Sequence, residues 1–257
     1  MNSSFRTRLA GNELLIGTMV TLSSSATAEV LADAGFDWLF LDGEHGPLET
    51  AQLAGLLQVV GDRVPCLVRV PSAGEVPIKK ALDLGAAGVI VPQVNTAEQA
   101  ADVVSWSRFP PDGTRGVGLA RAHGYGFRFQ EYVEGANDQV VVVVQAEHIE
   151  AVGNIESIVA VPGIDAVMIG PYDLAASMDR MGQVDDAGVI EAIDRVTSAC
   201  RDAGLPLGIF GVTAEALTPW IEKGYTLPVA GVDTMLLGNA ARVMLEQVRG
   251  ETQPRTN

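Results

Sequence analysis

Short apolar runs alternate with helical patterns along nearly the whole chain, and this alternation constrains the fold more than any other feature. The runs are rich in Val, Ile, Leu and Phe and are not interrupted by regularly spaced polar residues, which is typical of parallel strands buried on both faces. Each run therefore predicts a strand of a covered parallel sheet. The runs are residues 14–20, 38–42, 66–70, 88–91, 140–147, 166–169, 207–210 and 234–237.

Helical patterns fill the intervals between these runs. Most of them end at a glycine, which readily adopts the left-handed conformation required where a chain leaves a helix. Thr96 and Gln99 have the spacing of a capping box at the start of the fourth helix. Eight strands and eight helices in strict alternation predict an α/β chain folded as a (β/α)8 TIM barrel. The helical patterns are residues 26–34, 48–60, 75–84, 97–107, 154–161, 187–203, 214–223 and 240–248.

A doubly wound open sheet is the alternative fold with the same order of elements. Such a fold usually carries a Gly-x-Gly-x-x-Gly segment after its first strand, and this sequence has none there, nor a P-loop motif. We therefore expect residues 1–257 to form a single barrel domain, with short tails at about 1–11 and 250–257. The connection 109–139 is long, which predicts a functional role or a subunit contact.

Charge and hydropathy exclude some classes of partner. The formal net charge of −15 argues against a nucleic-acid partner, because phosphate binding requires a basic face. No apolar run reaches the ~18 residues of a membrane span, and the first residues lack the apolar segment of a signal peptide. A cytoplasmic protein without a membrane partner is expected. Cys66 and Cys200 lie in apolar or helical segments and are expected to be reduced and buried.

Polar residues follow most of the apolar runs, at the positions where a barrel places its chemistry. Catalytic side chains of such barrels lie at the carboxyl ends of the strands. We therefore expect these residues to surround one mouth of the barrel. They are Asp42, Glu44, His45, Arg69, Gln93, Gln145, Glu147, His148, Asp173 and Asn239.

Glu147 and Asp173 are candidate ligands of a divalent metal. Carboxylate oxygens from neighbouring strand ends suit Mg²⁺ or Mn²⁺, with water or substrate in the other positions. Gln145 would lie beside the metal or touch its water. The competing interpretation is a buried salt bridge between Glu147 and Arg69, since a carboxylate that closes a run of valines is costly unless it is paired.

Asp42 and His45 have the spacing of an orienting carboxylate and a base, in which the carboxylate holds the imidazole. The alternative is a simple helix start, where acidic residues are favourable. Arg69 either stabilises an anion or a developing oxyanion, or forms an Arg–Glu pair inside the barrel. His123 and His148 are weaker candidates, and His148 also fits the start of a helix.

The lysines separate two mechanisms of carbon–carbon bond cleavage. An aldolase withdraws electrons either through a lysine Schiff base or through a metal ion. The three lysines, Lys79, Lys80 and Lys223, all lie in helical patterns and none follows a strand. A Schiff-base mechanism therefore has no candidate, whereas the metal route has a full set of residues.

Several segments, in this order, resemble the HpcH/HpaI aldolase family of class II pyruvate aldolases, which includes 4-hydroxy-2-oxoheptanedioate and 2-dehydro-3-deoxyglucarate aldolases. The resemblance spans about residues 14–241. Each segment is weakly specific alone, but together they are strongly specific. They include Asp42-Gly43-Glu44-His45-Gly46-Pro47, Val91-Pro92-Gln93-Val94, Pro110-Pro111-Asp112-Gly113-Thr114-Arg115-Gly116, Gln145-Ala146-Glu147 and Ile169-Gly170-Pro171-Tyr172-Asp173.

The resemblance implies a role for each residue of the catalytic set. Glu147 and Asp173 would bind a divalent cation, Mg²⁺, Mn²⁺ or Co²⁺. His45, oriented by Asp42, would be the acid/base, and Arg69 would contact the keto or enolate oxygen of the pyruvyl group. The activity implied is that of an aldehyde-lyase, which reversibly cleaves 4-hydroxy-2-oxo acids to pyruvate and an aldehyde through a metal-stabilised pyruvate enolate.

The resemblance also implies how substrate is held and how subunits assemble. Gln145 would lie beside the metal, and the backbone around Gly170 and Pro171 would hold the substrate carboxylate. Met19 is expected to line the pocket on the aldehyde side. Family members are typically homo-hexamers in which the last helix is exchanged between subunits. The alternatives are a related enolate-forming decarboxylase, an acyl-CoA lyase, or a non-catalytic oligomeric binding protein.

Overall fold

Eight parallel strands close into a barrel in the order of the sequence, in a computed structural model that describes residues 4–250. Each strand pairs in parallel with the next, and β8 pairs with β1. The predicted fold class is confirmed. The strands are β1 Gly17–Val20, β2 Trp38–Asp42, β3 Cys66–Arg69, β4 Gly88–Val91, β5 Val141–Ala146, β6 Ala166–Ile169, β7 Leu207–Gly211 and β8 Leu227–Val232.

Helices separate successive strands, and most of the predicted boundaries agree with the structure to within two residues. The capping box at Thr96 and Gln99 is present. None of the helices within residues 4–250 combines the length and the apolar character that a membrane crossing requires. The helices are α1 Phe5–Ala10, α2 Ser25–Asp33, α3 Thr50–Val60, α4 Glu75–Asp83, α5 Ala97–Ser107, α6 Phe129–Gln139, α7 Ile149–Gly153, α8 Ile155–Val159, α9 Pro171–Ser177, α10 Ala187–Asp202, α11 Ala214–Glu222 and α12 Asp233–Arg249.

The prediction for the eighth strand was wrong. Residues 234–237 belong to α12, and the strand lies earlier, at Leu227–Val232. The true strand contains Pro228 and Gly231, which lower its strand propensity, whereas 234–237 form a more continuous apolar run. Asn239 consequently lies within α12 and not at a strand end.

The first predicted tail is also corrected. Residues 5–10 form α1, whose Phe5 and Leu9 are buried in the same apolar cluster as Trp38 and Leu15. This short helix covers the amino-terminal end of the barrel, because burial of its two apolar side chains excludes water from the inner wall. Residues 1–3, and the predicted second tail beyond Gly250, lie outside the described residues.

The barrel interior is apolar at its base and middle and polar at one end. Alternate residues of a strand point to the same face. Phe40 belongs to the inner cluster, so Asp42, two residues later on β2, continues the inward row. The same alternation holds on three further strands, where the residue two positions after an inward apolar residue also faces inward and belongs to the site. These steps are Leu67 to Arg69, Val143 to Gln145 and Met168 to Gly170.

The long connection between α5 and β5 contains regular structure of its own. It includes a 3-10 helix at Arg121–Gly126 and α6. Arg115 is fully buried there and stacks over the rings of Phe109 and Tyr132, with its guanidinium carbon 4.5 and 5.6 Å from their centroids. Both cysteines of the chain are free and buried, as expected.

Candidate active site

A buried ion pair joins the ends of β2 and β3. Asp42 and Arg69 are register partners on these neighbouring strands, and both side chains point inward. Arg69 Nε donates to Asp42 Oδ1 at 2.9 Å and Nη2 donates to Oδ2 at 2.9 Å, the two-pronged geometry that fixes a guanidinium. The guanidinium carbon lies 5.1 Å from the centroid of the Phe40 ring. The Asp42 carboxylate therefore fixes the edge of the Arg69 guanidinium, and the Phe40 ring packs against its face.

The carboxylate of Asp42 is stabilised in its charged form. Burial alone would raise its pKa, but the hydrogen bonds and charge of Arg69 outweigh burial and hold the pKa below its usual value. The backbone N–H groups of Glu44 and His45 also donate to Asp42 Oδ1, at 3.1 and 3.2 Å. Asp42 thus fixes both Arg69 and the turn that follows β2.

The expected contact between Asp42 and the imidazole of His45 is not present. The oxygens of Asp42 accept from Arg69 and from the two backbone N–H groups, because the inward parity of β2 directs this side chain toward β3. The carboxylate near the imidazole is that of Glu44, whose Oε2 lies 3.8 Å from His45 Nε2. His45 itself is 68 % exposed at the mouth.

Glu44 links these groups. Its Oε2 lies 3.2 Å from Arg69 Nη1, so the Arg–Glu pair considered from the sequence exists, with Glu44 and not Glu147 as the partner. Burial raises the pKa of Glu44 against the opposing charges of Arg69 and His45. The sequence defines no role for Glu44, and the structure places it between Arg69 and His45.

Glu147 is a buried carboxylate without a cationic hydrogen-bond partner. It is 2 % exposed; Oε1 accepts from the backbone N–H of Gln93 at 2.9 Å and Oε2 accepts from Gln145 Nε2 at 2.6 Å. Burial raises its pKa to about 7, and the nearby charges of Glu44 and Asp173 add to the effect. A carboxyl group in this state is expected to gain stability from a cation placed beside it.

Gln145 provides a second indication that this part of the mouth fits an electropositive group. Its Oε1 is buried and has no hydrogen-bond partner among the described residues. Buried polar atoms in folded proteins are nearly always satisfied, so an orphaned acceptor next to an acid with a raised pKa fits a site for a cation or its water. The residues present are therefore compatible with a divalent metal bound by oxygen ligands.

Asp173 lies in the first turn of α9, directly after β6, and its side chain faces solvent. Its charge contributes to the raised pKa values of both Glu44 and Glu147, which places it on the same side of the mouth. Within residues 4–250, no three His, Cys, Asp or Glu side chains converge as a complete metal site. A cation held by Glu147 and Asp173 would take its other ligands from water, Gln145 or substrate.

Gly170 provides the space that this arrangement needs. A Cβ at this position would lie 2.9 Å from both Cβ and Oε2 of Glu147, closer than real contacts allow. Gly170 and Pro171 form the N-cap and first residue of α9, so the chain turns into the helix immediately beside the buried carboxylate.

Gln93 was expected at the mouth, but its contact with Glu147 was not predicted, and Asp233 was missed by sequence reasoning. Gln93 has a left-handed backbone with φ of 56°, and in this conformation its N–H binds Glu147. Asp233, 2 % exposed at the end of β8, accepts from the backbone N–H groups of Thr21 and Leu22 and thereby holds the end of β1. A backbone donor carries no side-chain signal, and Asp233 was hidden by the wrong position of the eighth strand.

The three remaining candidates, His148, His123 and Met19, lie in three different elements. His148 is the N-cap of α7, where Nδ1 accepts from the N–H of Glu150 at 3.1 Å, so it begins a helix as the simpler alternative proposed. His123 is buried in the long connection and bonds to the backbone of Gly126 and Ala120. Met19 is partly buried against the inner cluster, at the mouth end of β1.

Comparison with known proteins agrees with this geometry. The model of the HpcH/HpaI aldolase/citrate lyase family matches residues 15–240. The chain belongs to this family. It is 43 % identical over 242 residues to a 4-hydroxy-2-oxovalerate aldolase of Rhodococcus jostii, covering 91 % of this chain and 92 % of that protein. A 4-hydroxy-2-oxo-heptane-1,7-dioate aldolase of Shigella sonnei is 40 % identical, with 95 % and 94 % covered.

A solved structure supports the same assignment. A family member from Burkholderia cenocepacia superposes with a TM-score of 0.92 at 38 % identity, covering 95 % of this chain and 98 % of that one. The chain is thus an enzyme of the carbon–carbon lyase class, since its relatives are aldolases. The alternative of a non-catalytic binding protein is not favoured. Closely related aldolases differ in the aldehyde they use, so the family does not by itself define the substrate.

Proposed function

We propose that the protein is a divalent-metal-dependent aldolase that reversibly cleaves 4-hydroxy-2-oxo acids to pyruvate and an aldehyde. The observation that carries the proposal is the buried Glu147 carboxylate, with a pKa raised to about 7, beside the orphaned Oε1 of Gln145. Glu147 and Asp173 would hold the cation. A bound divalent cation supplies Lewis-acid polarisation of the 2-oxo group.

Arg69 stabilises negative charge on the pyruvyl group in this mechanism. Its guanidinium is charged at any working pH, and Asp42 fixes two of its nitrogens, so no reorganisation is needed when charge develops on the oxo oxygen. Nη1, which faces Glu44 and not Asp42, is on the side of the mouth. Asp42 therefore acts through Arg69 and the turn, as a positioning residue.

His45 moves the proton at the 4-hydroxyl group. Its imidazole is exposed at the mouth, and Glu44 Oε2 lies 3.8 Å from its Nε2. In cleavage it accepts the 4-hydroxyl proton while the C3–C4 bond breaks, and the electron pair of that bond forms the enolate of pyruvate, which Arg69 stabilises. Protonation of this enolate at C3 gives pyruvate. In the reverse direction His45 returns its proton to the aldehyde oxygen as C3 adds to the carbonyl carbon.

Substrate is oriented by groups from β5 and β6. Gln145 offers its free Oε1 beside Glu147, and the backbone at Gly170 and Pro171, which packs against the Glu147 side chain, would hold the substrate carboxylate. Met19 borders the other end of the bound substrate from β1.

Exchange of the pyruvate methyl protons in D2O, followed by NMR, tests this function without knowledge of the aldehyde. Exchange is expected with Mg²⁺, Mn²⁺ or Co²⁺ present and is expected to stop in excess chelator. Glu147→Gln should lower the exchange rate in the presence of metal by at least about 100-fold. The matched control is Glu98→Gln on the exposed face of α5, which should exchange at the wild-type rate. Full exchange in chelator would contradict the metal requirement.

We also propose a homo-hexamer with α12 exchanged between subunits. Asp233 is the one buried residue of this 17-residue helix, and seven of its large apolar side chains are exposed, as on a helix that packs against another chain. Light scattering should give the mass of six 27.0 kDa chains; a monomer would refute the assembly. The exposed side chains are Met235, Leu236, Leu237, Val243, Met244, Leu245 and Val248.

A further inference from the structure

The mouth of the barrel is divided into a polar arc and an apolar arc. The polar arc runs from β2 to β6 and carries Asp42, Arg69, Gln145 and Glu147. The three remaining strands, β7, β8 and β1, complete the circle with one charged side chain among the described residues, Asp233 at the end of β8, whose carboxylate accepts from the backbone N–H groups of Thr21 and Leu22. Because the groups proposed for cleavage lie on the polar arc, we expect the aldehyde-derived part of the substrate to extend toward the apolar arc.

Phe210 forms one part of the apolar arc. It shares a face of β7 with Gly208, whose added Cβ would meet the inner residue Met168 at 2.7 Å, so this face is the interior. Phe210 packs against the inner cluster and is only partly buried. Ile209 pairs with Ile169, which places Phe210 level with Gly170 on the neighbouring strand. The ring therefore borders the site beside the end of β6.

Met19 borders the site from the opposite direction. It is the register partner of Phe40, the residue whose ring lies under the Arg69 guanidinium. Between Met19 and Phe210, β8 contributes Leu227 and Val229 to the inner cluster, and beyond a register shift its Val232 is the partner of Met19. Apolar side chains thus line this side of the mouth, which suits an apolar group.

Cations are scarce around this side of the mouth. Within residues 4–250, Arg69 is the one Lys or Arg in a strand, and Arg180 is the one in the segments that link the strand ends to the outer helices. Arg69 is engaged by Asp42 and Glu44. Arg180 pairs with Asp186 at 2.8 Å and donates to the carbonyl of Met178. A second anionic group on the substrate would meet no free cation, and Glu44 and Asp173 would repel it.

We infer that the aldehyde partner of this enzyme is a neutral aldehyde with an apolar tail, held between Met19 and Phe210, and not a semialdehyde of a dicarboxylic acid. This inference rests on the proposed function, because it assigns the aldehyde side of the same site. A carboxylate on the tail must lose its hydration against Phe210 without a partner, which is the costly case for a charged group.

The test uses two aldehydes of the same length, butanal and 4-oxobutanoate, which differ in a terminal methyl or carboxylate. With saturating pyruvate and Mg²⁺, kcat/KM for aldol addition should be about 30-fold or more higher with butanal. Equal values, or a preference for 4-oxobutanoate, would overturn the inference. Methyl exchange in the same samples tests the proposed function separately: exchange without the preference overturns the substrate inference alone, whereas no exchange overturns both.

Variants assign the preference to the apolar arc. Phe210→Arg should reduce the ratio of butanal to 4-oxobutanoate by about 10-fold or more, because it supplies the missing cation. Val30→Arg adds the same charge on the exposed face of α2 and should leave the ratio at its wild-type value. Phe210→Met, which stays apolar, should retain the preference even if turnover changes. An unchanged ratio in a folded Phe210→Arg protein would contradict the assignment to Phe210.

Discussion

Two carboxylates at opposite ends of the barrel, Asp165 and Glu147, are compensated to different degrees. At the amino-terminal end, Asp165 accepts from Arg6 Nε at 2.7 Å, from Arg108 Nη2 at 3.2 Å and from the N–H of Val142 at 2.8 Å. At the mouth, Glu147 accepts only from a backbone amide and from Gln145, and burial raises its pKa to about 7. One buried carboxylate is fully compensated, and the other is not.

This difference separates a group that stabilises the fold from the groups that we propose bind a cation. Asp165 joins α1, the end of α5 and β5, since Arg6 also donates to Asn137 and Arg108 to the carbonyl of Val140. Such a network loses stability if any member is removed. The mouth instead retains destabilising features, a desolvated acid and an orphaned acceptor, that are expected where binding energy is to be gained.

The largest expected effect comes from breaking the compensated end. Asp165→Ala leaves Arg108, whose side chain is 4 % exposed, without its carboxylate partner, so the free energy of unfolding should fall by about 3–5 kcal/mol. Urea unfolding monitored by circular dichroism measures the change. Methyl exchange per folded molecule should be retained, because no residue of the mouth is touched.

The control is Asp185→Ala, which removes the same charge from an exposed position and should change stability by less than about 0.5 kcal/mol. If Asp165→Ala lowered the free energy of unfolding no more than this control, the network of Asp165 with Arg6 and Arg108 would not stabilise the fold. The contrast between the two carboxylates would then fail.

The opposite sign is expected at the mouth. The folded-state pKa of Glu147 lies above its ordinary value, so ionisation is easier in the unfolded chain and stability is lost as pH rises from about 4.5 through about 7. Glu147→Gln removes this loss. In metal-free buffer at pH 8 the variant should be more stable than wild type by at most about 3 kcal/mol.

Thermal unfolding across pH 4.5 to 8 provides the measurement, with chelator present throughout. The gain of the variant should shrink toward acid pH, where Glu147 is protonated in both states. Addition of Mg²⁺ at pH 8 should raise the Tm of wild type but not of Glu147→Gln. A variant less stable than wild type at pH 8 without metal would show that the carboxylate is compensated after all.

The barrel could be predicted from the sequence because its signal is redundant. Seven of the eight strands coincide with continuous apolar runs, and any one could be lost without changing the conclusion. The position of the eighth strand could not be predicted, since Pro228 and Gly231 weaken its pattern. The exposed residues Met235, Leu236 and Leu237 instead form an apolar run that resembles a strand. Apolar residues on a helix that packs against another chain and on a buried strand look alike in one sequence.

The sequence predicted which side chains gather at the mouth of the barrel, but not which of them contact each other. The inward parity of β2 and β3 places Asp42 beside Arg69, and this could have been derived once the strands were aligned in register. Spacing along the chain instead suggested Asp42 and His45, because residues close in sequence were assumed to interact through their side chains. The contact between Gln93 and Glu147 could not be found by either route, since Gln93 makes it through its backbone N–H in a left-handed conformation.

The smallest effect expected should come from closing the space at the mouth. Gly170→Ala adds a Cβ 2.9 Å from Oε2 of Glu147, which must shift away, so stability should fall by about 1–2 kcal/mol and Mg²⁺ affinity by about 10-fold. Calorimetric titration with Mg²⁺ and urea unfolding measure the two quantities. Gly153→Ala, on α7, adds the same methyl group where nothing lies within 4 Å and should not weaken binding. A Gly170→Ala protein with wild-type affinity would mean that the cation does not depend on the position of this carboxylate, and the uncompensated charge at the mouth would then need another partner.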